Sequence, residues 1–348
     1  MAVCVGIVGG GLWVFFTVAY IFGLVPILDQ VLGTDHHNPA PESENALVNN
    51  RLLNGWLYLW VPCQLGVLFW ALYEITTQPH SAMEKFGLAV SVGIMAGGGG
   101  INVAHELMHR KNLMERALAE ILMGAVTYSH FCVEHVLGHH KYVATPKDPA
   151  TARYNESVYT FLPRTFFGSF KSAWHLESQR VHNHKQAYTL KDRRLRYGLT
   201  WVGGYTALFL LFGLEGIAFF VAQSLVAILL LEVINYVEHY GLLRATLENG
   251  RYERVAPKHS WNSAHTLTNS LLLNLPRHAD HHYLASRPYM ILRHLDDSPQ
   301  LPAGYAAMLL MALVPPLWKK VMNPLVEDWN QRVADTREAQ KKPVLATG

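Results

Sequence analysis

Cysteine is scarce in this sequence of 348 residues, and its spacing excludes several kinds of site. The three cysteines are Cys4, Cys63 and Cys132. They form no CxxC pair, which excludes a zinc ribbon and a cysteine-ligated iron site, and they provide no evident disulfide framework. Charged residues are also few, at 16% of the chain, and the net charge is only +3. This balance lacks the basic surface that is typical of nucleic-acid-binding proteins.

Hydrophobic residues, in contrast, make up half of the chain, and the mean hydropathy is slightly positive. Both values are high for a water-soluble enzyme. The sequence contains no internal repeat, linker or low-complexity block that would divide it. We therefore expect an all-α integral membrane protein. It would be a single domain over residues 1–348, in which a helical transmembrane bundle is capped by a helical domain in the cytoplasm.

Five apolar runs are long enough to cross a bilayer, which requires about 20 helical residues. The first has no basic start and exceeds the apolar core of a signal peptide, so we expect it to be a retained helix. The last two are separated by the short break Leu214-Glu215-Gly216. The five predicted spans cover residues 3–28, 52–75, 86–109, 197–214 and 216–239.

Histidine is abundant, and nine of the 19 histidines lie in four short groups. Spacings of three and four residues within a group turn imidazoles to one side of a helix. Neutral imidazole is the commonest metal-binding side chain and suits iron, zinc, copper and nickel. Nine ligands exceed what one ion accepts, so we predict a site for two metal ions. The predicted ligands are His105, His109, His135, His139, His140, His239, His278, His281 and His282.

The histidine groups also constrain the membrane topology, because all nine must reach one side of the bilayer. Eleven Lys and Arg residues between positions 138 and 196 place that segment in the cytoplasm by the positive-inside rule. The cytoplasmic portions are then residues 110–196 and 240–348. A further apolar stretch, residues 117–137, would separate the histidine groups if it crossed. We therefore predict that it packs at the interface or against the bundle.

Acidic residues near the histidines are candidates to orient them. Metal-bound imidazole usually donates its other N–H to a carboxylate or carbonyl group. Adjacent residues on a helix point in different directions, so we expect each acid to accept a hydrogen bond from a histidine of another group. His265, in a separate segment, is a further candidate to line the site. The candidate acids are Glu106, Glu134, Asp148, Glu238 and Asp280.

Four consecutive glycines lie one to two helical turns before His105: Gly97, Gly98, Gly99 and Gly100. Each glycine costs about 1 kcal/mol relative to alanine inside a helix, so the run needs a reason. Close helix packing is the interpretation that we favour. The alternative is that the four glycines line a tunnel for a substrate chain.

Parts of the pattern fit other functions. Residues 105–109 match HExxH, the zinc-protease signature with Glu106 as general base, but that site needs three ligands and leaves six histidines unused. A metal transporter would string histidine and aspartate along its spans, whereas these groups stand at helix ends and in the aqueous segment. A carboxylate-bridged di-iron bundle needs two ExxH motifs, and only residues 106–109 fit.

Longer motifs around the histidines resemble those of the AlkB-type integral-membrane alkane 1-monooxygenases. The resemblance covers about residues 20–330 and is carried by 105–109, 134–150, 235–242 and 275–282. The NYxEHYGL and VATPxDPA motifs distinguish this family from fatty-acid desaturases, which share only the histidine groups. Xylene monooxygenases are nearer relatives, and residues 105–110 read much like theirs.

The resemblance implies a histidine-ligated centre of two non-haem iron ions, with O₂ as co-substrate. It implies terminal hydroxylation of n-alkanes, taken from the lipid phase, to primary alcohols. Electrons would come from a rubredoxin, reduced by a rubredoxin reductase and docked on the basic residues around 110–196. The site would face the cytoplasm from the bacterial inner membrane. Family members typically have six spans, against about five expected here. A xylene-type methyl monooxygenase and a membrane fatty-acid desaturase or hydroxylase are the alternatives.

Overall fold

Helices are the only extended secondary structure in the part of the chain that the structure describes. The computed structural model describes residues 2–185 and 189–341, in which the only β-type pairings are isolated bridges. Four of the described helices are long and apolar enough to cross a membrane: Gly11–Leu32, Arg51–Thr77, Ala82–Met108 and Arg193–His239. These features confirm an α-helical membrane protein.

The longest of these helices, Arg193–His239, folds back on itself. Its residue Gly213 has a φ of 62° and a ψ of −162°, a conformation that glycine adopts without the steric penalty of a side chain. The ring centroids of Tyr205 and Phe220 lie 5.6 Å apart, although 15 residues of straight helix would separate them by roughly 22 Å. The two halves therefore run antiparallel. The turn falls where the sequence breaks between residues 197–214 and 216–239.

The first apolar run differs from its prediction as one helix over residues 3–28. Helix Ala2–Gly9 ends before Gly10, whose φ is 56°. The candidate span then begins again as Gly11–Leu32, and the short helix folds back against its start. An apolar run indicates that a segment lies in lipid, but it does not indicate the direction of the chain. The prediction of one helix therefore did not include this turn. The glycine run at residues 9–11 is the signal for it.

The remaining helices are shorter or more polar. Helix Leu113–Gly124 has 12 residues, which is roughly 18 Å of helix and too short for a bilayer core of about 30 Å. The stretch 117–137 is therefore not one continuous helix, because this helix ends at Gly124. The other helices of eight residues or more outside the candidate spans are Ala2–Gly9, Pro41–Val48, Val158–Asn183, Tyr305–Ala312 and Pro315–Lys341.

Two apolar cores hold the ends of the helices that carry histidines. In one core, Leu107 near the end of Ala82–Met108 is buried with Leu122 and Met123. In the other, Tyr236 of the long helix packs on Trp318, with ring centroids 5.1 Å apart. Because both cores are close-packed, the histidines at these helix ends are held in place.

Candidate metal centre

Helix ends and short helices bring the histidines together. His105 lies in the last turn of Ala82–Met108, and His239 is the last residue of the long helix. The π-helix His135–His139 and the following His140 supply the central group. The short helix His278–Tyr283 supplies the last three histidines.

The nine predicted histidines form two adjacent groups. Within each group, ring nitrogen atoms of all members lie within 4.8 Å of one another. No other side chain of the described ranges joins these two groups. The five-histidine group contains His105, His109, His135, His140 and His281, and the four-histidine group contains His139, His239, His278 and His282.

Two pairs of neighbouring residues link the groups. His139 and His140 follow each other in the chain but belong to different groups, and so do His281 and His282. Consecutive helical residues point about 100° apart, so one backbone segment presents an imidazole to each group. The ring centroids are 5.9 Å apart in the first pair and 5.5 Å apart in the second. The two groups therefore form one buried centre with two compartments.

The ring nitrogens fit bound metal ions. The Nε2 atoms of His135 and His281 each lie 3.0 Å from that of His140, which is close to the separation of two ligands about 2.1 Å from one ion at right angles. The Nε2 atoms of His105 and His109 are buried and have no hydrogen-bond partner in the structure. Buried ring nitrogens normally have partners, so their clustering here indicates ligands.

The protonation state of these rings is also the one that binds metal. Burial lowers the pKa of His135, His140 and His281 well below the usual value, and neighbouring imidazoles lower it further. Burial likewise lowers the pKa of His109 to about 3. At neutral pH these imidazoles are therefore neutral, and their lone pairs are available to metal ions.

Asp148 and Glu238 are the two candidate acids that contact these histidines. The ring Nδ1 of His139 donates to Asp148 Oδ2 at 2.9 Å, and Thr151 donates to the same oxygen at 2.6 Å. A carboxylate oxygen of Glu238 lies 3.2 Å from His278 Nε2, and Tyr305 donates to its other oxygen at 2.8 Å. Both acids thus touch the four-histidine group.

Glu106 and Asp280, also predicted to orient histidines, bind arginines instead. Glu106 accepts from Arg110 one helical turn later, at 2.8 Å. Asp280 accepts from Arg293 at 2.9 Å and pairs with Arg287 at 3.0 Å. Arg110 follows the end of the helix that carries Glu106. Arg287 and Arg293 lie in the segment after the helix that carries Asp280. The arginines are therefore close in the chain to the carboxylates that they bind. Both acids support the backbone around the ligands.

Glu134 and His265 complete the predicted set. Glu134 is buried and its Oε2 has no hydrogen-bond partner in the structure. Burial raises the pKa of its carboxyl to about 7. Its carboxylate occupies the space that a side chain at Gly138 would need. His265 lies in neither histidine group, and its Nδ1 is 2.9 Å from the hydroxyl of Ser263. His265 is therefore not one of the grouped candidate ligands.

An apolar cavity of about 670 Å³ leads to the histidines. It reaches His105, His135 and His278, and its walls are mainly aliphatic and aromatic. Gly97, Gly98 and Gly99 line it, whereas Gly100 does not. The cavity is thus lined by three residues of the glycine run and by members of both histidine groups. This volume is typical of sites for small molecules.

The glycine run serves packing and the cavity at different positions. A side chain at Gly99 would collide with Trp60 and one at Gly100 with Gln64, whereas no atom lies within 4 Å of a Cβ placed on Gly98. A Cβ placed on Gly97 would lie only 3.1 Å from the backbone of Ala227. Close packing therefore accounts for Gly97, Gly99 and Gly100, whereas Gly98 faces open space in the cavity. The sequence did not reveal that residues 95–101 form a π-helix, although the four glycines are a signal of irregular helix.

The zinc-protease interpretation does not agree with this geometry. His105 and His109 share their group with three other histidines. Glu106, which would be the general base, is engaged by Arg110 and by the backbone N–H of Tyr289. A protease of this kind needs a free carboxylate beside a metal with three protein ligands.

Comparisons with known proteins agree with the site. The fatty acid desaturase family model matches residues 85–310. The chain is 42% identical over 333 residues to alkane 1-monooxygenase 2 of Alcanivorax borkumensis, covering 93% of this chain and 85% of that protein. It is 44% identical over 321 residues to alkane 1-monooxygenase 2 of Pseudomonas aeruginosa, covering 90% and 84%. The hydroxylase component XylM of a Pseudomonas putida xylene/toluene monooxygenase is 27% identical over 97% of this chain and 89% of its own length.

Fold, site and relatives together define a membrane-embedded oxidoreductase with clustered histidines that could bind metal ions. Within that class, the chain belongs to the family of AlkB-type integral-membrane alkane 1-monooxygenases. It is therefore an enzyme of this family.

Proposed function

We propose that this enzyme hydroxylates the terminal carbon of n-alkanes to give primary alcohols, with O₂ as co-substrate. The reaction would take place at two iron ions held by the nine histidines, with electrons from a rubredoxin that a rubredoxin reductase reduces. The strongest support is the apolar cavity that ends at both histidine groups. Such a cavity suits a substrate that consists of a hydrocarbon chain alone.

Burial in the apolar cavity would provide the binding energy for such a substrate. An alkane has no polar group, so its affinity relative to water comes from burial in an apolar space, worth about 0.8 kcal/mol for each CH₂. Relative to lipid, only the van der Waals fit to the cavity contributes. Leu231 and Leu309 line the walls, while His105 and His278 lie at the end. A chain that fills the cavity therefore presents its terminal methyl group to the histidines. The surrounding membrane would supply the alkane.

The chain's own residues would hold and orient the metal ions. The five-histidine group and the four-histidine group would each bind one ion. Bound iron would supply the activation of O₂ and the oxidation of the C–H bond, which no protein side chain can perform. Asp148 fixes the ring of His139 so that Nε2 faces the other three histidines of its group. Glu238, held by Tyr305, places a carboxylate at the boundary between the four-histidine group and the cavity.

Electrons would arrive from the aqueous side, close to the five-histidine group. Lys141 directly follows His140 and is exposed, and Lys147 is exposed nearby. The ammonium groups of both lysines lie over the ring of Tyr142, at 5.0 and 5.9 Å from its centroid. We call these three residues the lysine patch. It offers positive charge to an acidic electron-transfer protein. This side of the protein would face the cytoplasm from the bacterial inner membrane.

Product analysis tests the proposal. Purified enzyme would be supplied with rubredoxin, its reductase, O₂ and an n-alkane, and the products would be separated by chromatography. A primary alcohol labelled from ¹⁸O₂ is the expected product, and His105→Ala is expected to abolish it. An alkene or an unsaturated fatty acid would indicate a desaturase. Oxidation of methylarenes with no alkane product would indicate a xylene-type enzyme.

A further inference from the structure

A third cluster of metal-binding side chains lies outside the nine-histidine centre. It consists of His36, His294 and Asp296, whose ligand atoms lie within 4.8 Å of one another. His36 belongs to the loop after the first candidate span, and His294 belongs to the loop after helix His278–Tyr283. Neither the comparisons nor the reaction proposed above uses these residues. We call them the loop cluster.

The two loops are held together by contacts that do not involve the side chains of the loop cluster. The backbone N–H of His294 donates to the side-chain oxygen of Asn38 at 2.7 Å, and the Asn38 amide donates back to the His294 carbonyl at 3.0 Å. Arg277 pairs with Asp35 at 3.6 Å. The three side chains of the loop cluster are therefore brought together by a scaffold already in place. A preformed site of this kind loses little conformational freedom when it binds an ion.

The three side chains bring one potential ligand atom each within 4.8 Å of the others. The rings of His36 and His294 stack with centroids 4.2 Å apart and an interplanar angle of 18°. His294 Nε2 lies 3.3 Å from a carboxylate oxygen of Asp296. His294 is 94% buried, and its Nδ1 has no hydrogen-bond partner in the structure. A buried ring nitrogen of this kind normally has a partner, so the cluster is incomplete as it stands.

The charges around the loop cluster allow a cation to bind. Burial lowers the pKa of His294, and the neighbouring His36 lowers it further. The His294 ring is thus neutral at pH 7 and can act as a ligand. The nearby guanidinium of Arg277 donates to the Leu292 carbonyl at 2.8 Å and is offset by Asp35. Asp296 and His36 are exposed, so an ion can enter directly from solvent.

We propose that the loop cluster binds a divalent transition-metal ion of the zinc class, separate from the catalytic centre. Two imidazoles and a carboxylate are a ligand set that zinc accepts, and water can fill the fourth position. The bound ion would fasten the loop at residues 35–38 to the loop at 293–296. Arg293 of the second loop binds Asp280, which stands between ligand histidines of the centre. The ion would therefore stabilise the part of the chain that carries His278, His281 and His282.

Equilibrium dialysis against ZnCl₂, followed by elemental analysis, tests the proposal on tag-free enzyme already loaded with iron. The wild type is expected to hold one zinc per chain in addition to its iron. His36→Ala and His294→Ala are expected to lose that zinc and to keep their iron and their alcohol production. His37→Ala is the matched control, because His37 is an exposed neighbour that contacts Asp35 and lies outside the cluster; it is expected to retain the zinc.

Thermal unfolding supplies a second readout. Zinc is expected to raise the unfolding temperature of the wild type and of His37→Ala, and to leave that of His36→Ala unchanged. Because the side chain of His36 is exposed, its removal leaves the fold intact. Failure of the wild type to bind zinc, or equal zinc binding by His36→Ala, would overturn the proposal. Iron content and alcohol formation report separately on the catalytic centre, so its failure would be recognised independently.

Discussion

The imidazole of His139 donates through Nδ1 to the buried carboxylate of Asp148 at 2.9 Å, while its Nε2 is buried and has no partner in the structure. This relationship fixes both the tautomer and the direction of one ring in the four-histidine group. Burial alone would lower the pKa of His139, but the carboxylate of Asp148 outweighs it and raises that pKa. A metal ion at Nε2 would compete with that proton and would be favoured by the same negative charge.

Replacing Asp148 should therefore weaken metal binding without removing a ligand. Asp148→Asn is expected to reduce metal affinity by about 10–100-fold, as loss of such partners generally does. Iron content after dialysis against a chelator would measure the loss, and activity should fall in parallel. Asp297→Asn, an exposed carboxylate on the surface, is the control and should keep its iron. Wild-type iron retention in Asp148→Asn would show that the hydrogen bond does not support the centre.

Replacing Gly98 with a larger residue should reduce the cavity volume that is available to the substrate. Gly98 lines the cavity, and a Cβ there meets open space. Gly98→Leu should fold normally and lower kcat/KM for long alkanes more than for short ones, because the added side chain removes cavity volume. Competition between alkanes of different lengths would measure the ratio. Gly66→Leu is the matched control, since Gly66 is exposed with equally open space around it. An unchanged length preference in Gly98→Leu would place the substrate elsewhere.

Glu232 should stabilise the bundle through its buried hydrogen bonds. Tyr128 and Thr165 donate to its two carboxylate oxygens, each at 2.7 Å. Glu232→Leu leaves both hydroxyls unpaired, at a cost of about 1–3 kcal/mol for each. We expect a clear fall in unfolding temperature in detergent, with a smaller fall for Glu232→Gln. Equal stability of Glu232→Leu and the wild type would contradict the assigned role.

The lysine patch should set the affinity for the electron donor. Reversing charge in Lys141→Glu with Lys147→Glu is expected to raise KM for rubredoxin several-fold and to reduce the salt dependence of the rate. The iron content should stay unchanged. Lys320→Glu, on an exposed face of helix Pro315–Lys341, is the control and should behave as the wild type does. An unaffected KM in the double variant would place the docking surface elsewhere.

The spacing of the histidines along the chain predicted which of them come together, because the spacing of two residues on a helix determines whether their side chains point the same way. Residues 139 and 140 are consecutive and so face different ways, and the structure assigns them to different groups. Which group each histidine joins depends on how distant helices pack, for example where His239 and His278 meet with ring centroids 5.0 Å apart. Spacing along the chain carries no information about such contacts.

The acids around the centre were harder to predict, because competing partners decide what a carboxylate binds. Asp148 binds His139 and contacts no arginine among the described residues, whereas Asp280 binds Arg287 and Arg293. The direction of the backbone in the first apolar run was also not predicted from the sequence. Its composition indicated a membrane helix, but the turn at Gly10 depends on a positive φ that composition does not report.

Metal analysis of the purified, tag-free enzyme tests the central claim most directly. Two compartments of buried imidazoles, with five and four members, should hold two iron ions per chain in protein expressed with sufficient iron. His109→Ala and His139→Ala alter different compartments, so each should lower the iron content. Two irons per chain in the wild type, reduced in both variants, is the predicted result. A wild type that holds only one iron per chain, or none, would contradict the account.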